Sequence, residues 1–393
     1  MKGLINKILL SMIAVQILMG ISFGNEQTKS SKQNKSSAKT STANISSENT
    51  KFSGSWRIRL GAEKLNDEIS QGTAANLSGS MKLNYQLVDS LRFYGEPKIS
   101  ISQGQAQSLY GEFEPNNTFS VDEALINFAP HEFLDLNAGI LSHQPEKRIG
   151  NAYLMASASF PGIEAVIHVL NFEKVKMDLL LEESIPTSYS LDSGVEEREA
   201  SPRFHAQSVK LNLGNKKDYL KSTMFITKYQ FDNLPSIVAQ KSITRGNTVS
   251  DGYHYDYGFS GYSAAVLVEY DFLSNFTLLA LGSYLLNDQA PDGLNKGYST
   301  GGGIEFTISK DLTLTSKVDK FYIEPDVAPA YYSTYQLGLN NRQGYIYELG
   351  MEFTNYNLKL KAGYMDSDLV YKSGLMAKRT SYSIKLETLD VKF

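Results

Sequence analysis

A single repeating unit fills the chain from Phe52 onward: an alternating apolar and polar run, a tight turn, a second alternating run, and a long irregular stretch. Residues that alternate with a period of two point to opposite faces of an extended strand. Tight turns occur seven times, at 88–90, 130–132, 171–174, 214–218, 273–275, 310–311 and 354–355. Long stretches occur eight times, at 63–75, 103–118, 142–162, 184–203, 232–258, 287–297, 324–343 and 368–378. This alternation predicts sixteen antiparallel strands, with the first and the last strand both ending on the side of the short turns.

One face of the predicted strands is apolar, and the other is charged or small. Tyr345, Tyr347, Leu349, Met351 and Phe353, for example, alternate with Ile346, Glu348, Gly350 and Glu352. A soluble β-sandwich and a membrane β-barrel can both produce this pattern. Aromatic residues favour the barrel, because many of them gather near the short turns or the C-terminus, where the edge of an apolar band would lie: Phe93, Phe128, Phe133, Phe172, Phe272, Phe276, Phe306, Phe353, Tyr356 and Phe393. The sequence thus predicts an all-β, antiparallel up-and-down transmembrane barrel.

The N-terminal residues predict export from the cytoplasm. Lys2 and Lys7 precede an apolar core at 8–23, and the small residues Ser22 and Gly24 form a cleavage site, so residues 1–24 have the features of a signal peptide. The alternative is a membrane-anchoring helix, although the apolar core is short. Residues 25–51 are rich in Ser, Asn and Lys and predict a disordered periplasmic leader, either merely solvated or a tether to an anionic partner. Residues 52–393 form the predicted barrel.

Composition excludes several classes of protein. The formal net charge is −4, which argues against a nucleic-acid partner. The absence of Cys excludes disulfides and thiolate metal sites. The chain has 24 Tyr and 19 Phe but 1 Trp, and many aromatics without high overall hydropathy suit a membrane barrel.

The C-terminus carries a short motif in which Leu389, Val391 and the terminal Phe393 share one face of a strand. This ending resembles that of Gram-negative outer-membrane barrels, in which a terminal aromatic residue is the signal for the barrel-assembly machinery. Together with the signal peptide and the strand number, the chain resembles the Gram-negative porins. The resemblance implies contact with outer-membrane lipid and lipopolysaccharide, a water-filled channel for passive diffusion of ions and small hydrophilic solutes, and a homotrimer. It also implies a third loop folded into the lumen, here Ser142 to Gly162 with Glu146, Lys147 and Arg148.

Strand parity predicts which charges line the pore. Eight cations face inward on strands that barrel closure brings together, and they form a predicted basic wall: Arg57, Arg59, Lys82, Arg92, Lys98, Lys359, Lys361 and Lys385. Four carboxylates are predicted on an opposing acidic side: Glu269, Glu305, Glu348 and Glu352. One hypothesis is a transverse electric field that orients solutes and biases ion flow. The alternative is that lumenal charges pair with one another and only keep the interior wet.

The sequence shows no signature of enzyme chemistry. Its five His residues are scattered, and no metalloprotease, nucleophile-elbow or phosphate-loop motif occurs. No metal or cofactor is therefore expected. His168, with the same inward parity as Glu164, is the one candidate catalytic residue, and its alternative role is structural. A competing non-enzymatic function is that of a structural or adhesive barrel, in which the loop from Asp232 to Gly258, with its Tyr253, Tyr255 and Tyr257, binds a partner.

Overall fold

A computed structural model describes residues 52–108, 117–143, 158–187, 199–215, 217–333 and 339–393. The predicted signal peptide and leader lie outside these residues, as do Glu146, Lys147 and Arg148 of the predicted constriction loop. Within the described ranges, no helix is both long and apolar enough to cross a membrane.

Antiparallel strands fill most of the described chain. They are β1 (Phe52–Asp67), β2 (Ser70–Val88), β3 (Leu91–Ser108), β4 (Thr118–His131), β5 (Leu134–Ser142), β6 (Ser159–Asn171), β7 (Val175–Ser184), β8 (Arg203–Leu213), β9 (Leu220–Asp232), β10 (Phe259–Leu273), β11 (Phe276–Asn287), β12 (Lys296–Ser309), β13 (Leu312–Ile323), β14 (Arg342–Phe353), β15 (Leu358–Leu369) and β16 (Arg379–Thr388). A two-residue segment, β17 (Val391–Lys392), continues β16 after a short interruption. A short α-helix, α1 (Ser236–Ser242), follows β9, and short 3-10 helices occur at Ile243–Arg245 and Thr354–Tyr356.

The strands close into one barrel. Each strand pairs with its neighbour in the chain, and β1 pairs with β2 on one side and with β16 and β17 on the other. This confirms the predicted sixteen-strand, up-and-down topology. The seven tight turns all lie at one end of the barrel, together with Phe52 and Phe393. The eight other connections between consecutive strands, which we number L1 to L8 in chain order, lie at the opposite end. The register between β3 and β4 shifts between Glu96 and Pro97, where Asp122 is an extra residue in β4.

The first long connection is not a loop, and this prediction was wrong. Residues 63–66 pair with residues 71–74 as antiparallel strands, and β1 and β2 leave only residues 68 and 69 to form L1. These strand ends are polar on both faces, with Lys64 and Asn66 on one face and Glu63 and Asp67 on the other. A strand pair surrounded by water on both sides needs no apolar face, and its backbone ladder still satisfies its polar groups. Alternation of apolar and polar residues therefore cannot distinguish such a hairpin from an irregular loop.

The outer face of the barrel has the apolar side chains and the aromatic edges that a bilayer requires. Ile163, Ile226 and Leu349 are examples of large apolar side chains that project outward and are exposed. The predicted aromatic residues near the short turns are exposed or half-buried, which confirms the expected belt. A row of outward Tyr residues lies toward the long-loop end, and the rings of Tyr364 and Tyr382 are 5.0 Å apart. Such rows belong at the two boundaries of an apolar band.

A bulge in the last strand places the C-terminal Phe393. Arg59 pairs with Glu387, whereas Trp56 pairs with Val391, so the last strand contains one more residue than β1 over this interval. The hydroxyl of Thr388 accepts the amide hydrogen of Ile58 at 2.9 Å and fills the gap in the ladder. Beyond the bulge, Gly54 and Phe393 exchange two backbone hydrogen bonds. The C-terminus is therefore fastened to the first strand.

The ring of Phe393 needs a residue without a side chain beside it, and this gives a testable prediction. A Cβ on Gly54 would lie 2.5 Å from Cζ of Phe393. We expect Gly54→Val to displace the ring and destabilise the barrel by about 1–3 kcal/mol, the range for overpacking. The measurement is the unfolding temperature of the purified barrel in detergent. Gly79→Val is the matched control, since a Cβ on Gly79 has nothing within 4 Å. Equal unfolding temperatures for both variants would contradict the prediction.

Candidate functional site: the barrel lumen

The strands that carry the predicted basic wall are neighbours in the barrel. β15 pairs with β16, β16 with β1, β1 with β2, and β2 with β3, so the eight cations lie on five adjacent strands. Their register places them on the face opposite to the apolar outer residues; Lys361, for example, lies across from Lys385. We call the inner face of these five strands the seam wall.

Two carboxylates on the last strand pair with four of these cations. Nε of Arg59 and Nζ of Lys361 lie 2.9 Å and 3.2 Å from the carboxylate oxygens of Glu387. Nε of Arg57 and Nζ of Lys82 lie 2.9 Å and 3.8 Å from those of Asp390. The seam wall is therefore a network of ion pairs, and its positive charge is partly compensated.

Two further cations of the seam wall have a carboxylate on a neighbouring strand. Nζ of Lys98 lies 3.4 Å from Asp122 on β4, and Nζ of Lys359 lies 3.4 Å from Glu352 on β14. Arg92 and Lys385 share the same inner face, and Lys385 has the cation Lys361 as its register neighbour. The excess of positive charge is accordingly greatest where β15, β16 and β1 meet.

The four predicted acids do not share one place in the barrel. Glu352 and Glu348 lie on β14, next to the seam wall and not opposite to it. Glu348 lies across from Lys317 on β13, and Glu269 on β10 is 3.7 Å from Lys221 on β9. Glu305, on β12, has Thr277 and Thr315 as register neighbours. Only Glu269 and Glu305 therefore lie on distant strands, because the strand order places β14 beside β15.

A second group of acids lies on the inner face of β3 to β7. Glu96 faces Glu123 across β3 and β4, and Glu164 faces Glu182 across β6 and β7. Asn137 donates a hydrogen bond to Glu164 at 3.0 Å. A cleft of about 190 Å³ opens beside Glu123, Asn137 and Glu164, together with Ser142 and Lys210. The alternation of residues along β4, β6 and β7 could have predicted that these acids face inward. The bulge between β3 and β4 interrupts that alternation at Asp122 and Glu123.

Among the described residues, two long loops fold into the barrel. L5 (residues 233–258) and L7 (residues 324–341, of which 334–338 lie outside the described residues) pack against inward side chains at the long-loop end. Val238 of L5 and Val327 of L7 are completely buried. We call the apolar group that surrounds them the inner cluster; it includes Phe160, Phe204, Tyr229, Phe231, Phe259, Leu285, Phe321, Ala328, Tyr332 and Met365. Tyr229 donates hydrogen bonds to the carbonyls of Val327 and Leu286 at 3.1 Å and 3.2 Å.

Asn247 fastens L5 to L7, and Asn340 braces L7 from within that loop, in an arrangement we call the clasp. The amide of Asn247 donates to the carbonyls of Pro325 and Ala328 at 2.8 Å and 3.0 Å, and its oxygen accepts the amide hydrogen of Ala330 at 2.6 Å. Asn340 donates to the same two carbonyls, at 2.8 Å and 2.7 Å. These groups are buried, so each hydrogen bond replaces one that water could otherwise make. L5 and L7 therefore behave as one unit.

Asp326 extends the clasp. Its carboxylate accepts hydrogen bonds from the backbone and the hydroxyl of Thr248, at 2.9 Å and 2.6 Å. Burial raises the pKa of Asp326, and the hydrogen bonds from Thr248 and Asn247 act in the opposite direction. The resemblance to porins implied a third loop folded into the lumen. The inward position of L5 and L7 could not be predicted from local sequence, because the partners that join them lie about 80 residues apart in the chain.

The imidazole of His168 lies on the inner face, as its parity predicts, between two aspartates. Its Nδ1 lies 2.7 Å from Asp178, and its Nε2 lies 3.3 Å from Asp135. Both carboxylates come from neighbouring strands on the same inner face. These two contacts join β5, β6 and β7 on the inner face, which agrees with the structural role that was the alternative to a catalytic one.

Comparison with known proteins identifies the fold. The chain matches no protein-family model, and no curated protein is significantly similar to it in sequence. Among solved structures, OprB of Pseudomonas putida has 11% identity and a TM-score of 0.55, covering 87% of this chain and 94% of that one. OccAB1 of Acinetobacter baumannii has 10% identity and a TM-score of 0.51, covering 88% of this chain and 97% of that one. Both are outer-membrane porins. Barrel closure, strand number and these likenesses together show that the chain has the fold of the Gram-negative outer-membrane porins.

Proposed function

We propose that this protein is an outer-membrane porin through which ions and small hydrophilic solutes diffuse passively. The observation that carries the proposal is a closed sixteen-strand barrel with an apolar outer face, aromatic edges and a charged inner wall. A barrel of this strand number is too wide for its own side chains to fill. Export by a signal peptide, assembly by the barrel-assembly machinery through Leu389, Val391 and Phe393, contact with lipopolysaccharide and a homotrimeric state belong to the same proposal.

Solutes would pass a lumen that is asymmetric in two respects. Ion pairs with a surplus of cations line the seam wall, whereas L5, L7 and the inner cluster occupy inward positions on strands from β6 to β15 at the long-loop end. A field across the lumen is then set by the surplus positive charge of the seam wall against the acids of β4, β6 and β7 and of β10 and β12. Such a field would orient dipolar solutes and favour one sign of ion.

The experiment that tests the proposal is single-channel recording in a planar lipid bilayer. The full chain is produced in a Gram-negative host, purified from the membrane fraction and added at low concentration. Stable steps on the order of a nanosiemens in molar salt are the expected result for an open barrel of this strand number. A barrel that migrates as a folded species but gives no steps would contradict the proposal.

A second candidate function, adhesion, draws on the tip of L5. Tyr253 and His254 are exposed there, and Asp251 accepts the backbone amide hydrogens of both residues, at 2.8 Å and 2.7 Å. A further hydrogen bond, between the imidazole Nδ1 of His254 and the carboxylate, is the main reason that the pKa of Asp251 is lowered to about 2. An ordered, exposed aromatic tip suits recognition of a partner. A silent barrel would favour this function.

A further inference from the structure

The bulge in the last strand has a chemical consequence for the lumen. In a regular strand, residues three positions apart point to opposite faces. Glu387 and Asp390 are three positions apart, yet both reach inward cations, Glu387 reaching Arg59 and Asp390 reaching Arg57. The extra residue between them reverses the parity. The bulge thus brings a second carboxylate to the inner wall while Val391 and Phe393 remain on the outer side.

Each of these carboxylates lies between cations of different strands. Glu387 lies between Arg59 of β1 and Lys361 of β15, and Asp390 lies between Arg57 of β1 and Lys82 of β2. The side chain of Glu387 is only 9% exposed, so the two cations largely cover it. Arg59 and Lys361 are 35% and 29% exposed and remain in contact with the water of the lumen. Four cations and two carboxylates leave a surplus of two positive charges in this group.

We propose that Glu387 and Asp390 determine the ion selectivity of the pore by offsetting the cations of the seam wall. This inference rests on the proposed porin function and specifies the residues that set its selectivity. Without these two carboxylates the group would carry four uncompensated positive charges facing the lumen. With them, the wall attracts anions less strongly and still presents a hydrated, charged surface. Their role is that of counter-charges, and they need not touch the passing solute.

The test is the reversal potential of single channels under a salt gradient. Glu387→Gln keeps the size of the side chain and removes its charge. The cation-to-anion permeability ratio should therefore fall by about threefold, because one unit charge at about 6 Å in water, screened by salt, acts on cations and anions in opposite directions. Asp390→Asn should shift the ratio in the same direction. The gradient should be centred near 0.1 M salt, where the screening length is about 10 Å. Glu387→Asp keeps the charge and should leave the ratio close to that of the natural chain.

Two further variants separate charge from structure. Arg59→Gln combined with Glu387→Gln removes one charge of each sign, so its permeability ratio should return to the natural value. Glu183→Gln is the control, because Glu183 lies on the outer side beside the exposed Ile163 and should not affect selectivity. If the natural chain and both single variants conduct with the same reversal potential, the inference is wrong and the porin function stands. If the natural chain itself is silent, the proposed function fails first.

Discussion

A channel in which Asn247 and Asn340 are both replaced by Ala should conduct about twice as much current as the natural one, because the lumen of a sixteen-strand barrel is wider than the passage that its inward loops leave. The amide of Asn247 supplies two of the hydrogen bonds that hold L7 against L5, and the amide of Asn340 supplies two that brace L7 internally. In the double variant the buried carbonyls of Pro325 and Ala328 lose these hydrogen-bond donors. Each carbonyl left unsatisfied costs about 1–3 kcal/mol of stability. The clasp should then open, and L7 should leave the inner cluster.

The measurement is single-channel conductance and current noise at fixed salt and voltage. Folding of the variant is checked by its resistance to detergent at room temperature, since the strands themselves are unchanged. Gln289→Ala is the matched control: Gln289 is a loop amide that is exposed and lies outside the clasp. If the double variant is folded and conducts like the natural chain, L5 and L7 do not limit the flow of ions.

Reversing the charge of Arg57 and Arg59 should produce the largest change in selectivity. Arg57→Glu with Arg59→Glu replaces two cations by two anions and leaves Asp390 and Glu387 beside like charges. The seam wall then changes from a surplus of cations to a surplus of carboxylates. We expect the cation-to-anion permeability ratio to rise by about tenfold or more near 0.1 M salt, where screening is weak.

The same change of net charge away from the lumen provides the control. Lys217→Glu with Lys310→Glu alters two exposed residues of short turns and changes the total charge equally. Reversal potentials are compared for both double variants and the natural chain. If the ratio is the same in all three, lumenal charges serve only to keep the interior wet, and the transverse field has no role in permeation.

The sequence determined the strands, their number and the direction in which most side chains point. Alternation with a period of two is a local property, so Tyr345 to Phe353 and their polar neighbours can be assigned to opposite faces without knowledge of the rest of the chain. The tight turns are local as well, and all seven were predicted near their observed positions. The hairpin at 63–75 was not predicted. Water surrounds it on both sides, so its sequence needs no apolar face and lacks the alternation on which the strand assignment depends.

Only the tertiary structure decided which charges and loops meet. Glu387 and Lys361 are partners because β15 and β16 are paired, but Glu387 and Arg59 are partners because the barrel closes, across 328 residues of sequence. The bulge that turns both Glu387 and Asp390 inward is a shift of one residue, and strict alternation would have placed them on opposite faces. The clasp likewise depends on Asn247 of L5 meeting the backbone of L7, and these two loops approach each other only inside the finished barrel. The period of two specifies on which face of its strand each side chain lies. Barrel closure and loop packing decide which other side chain or loop it contacts.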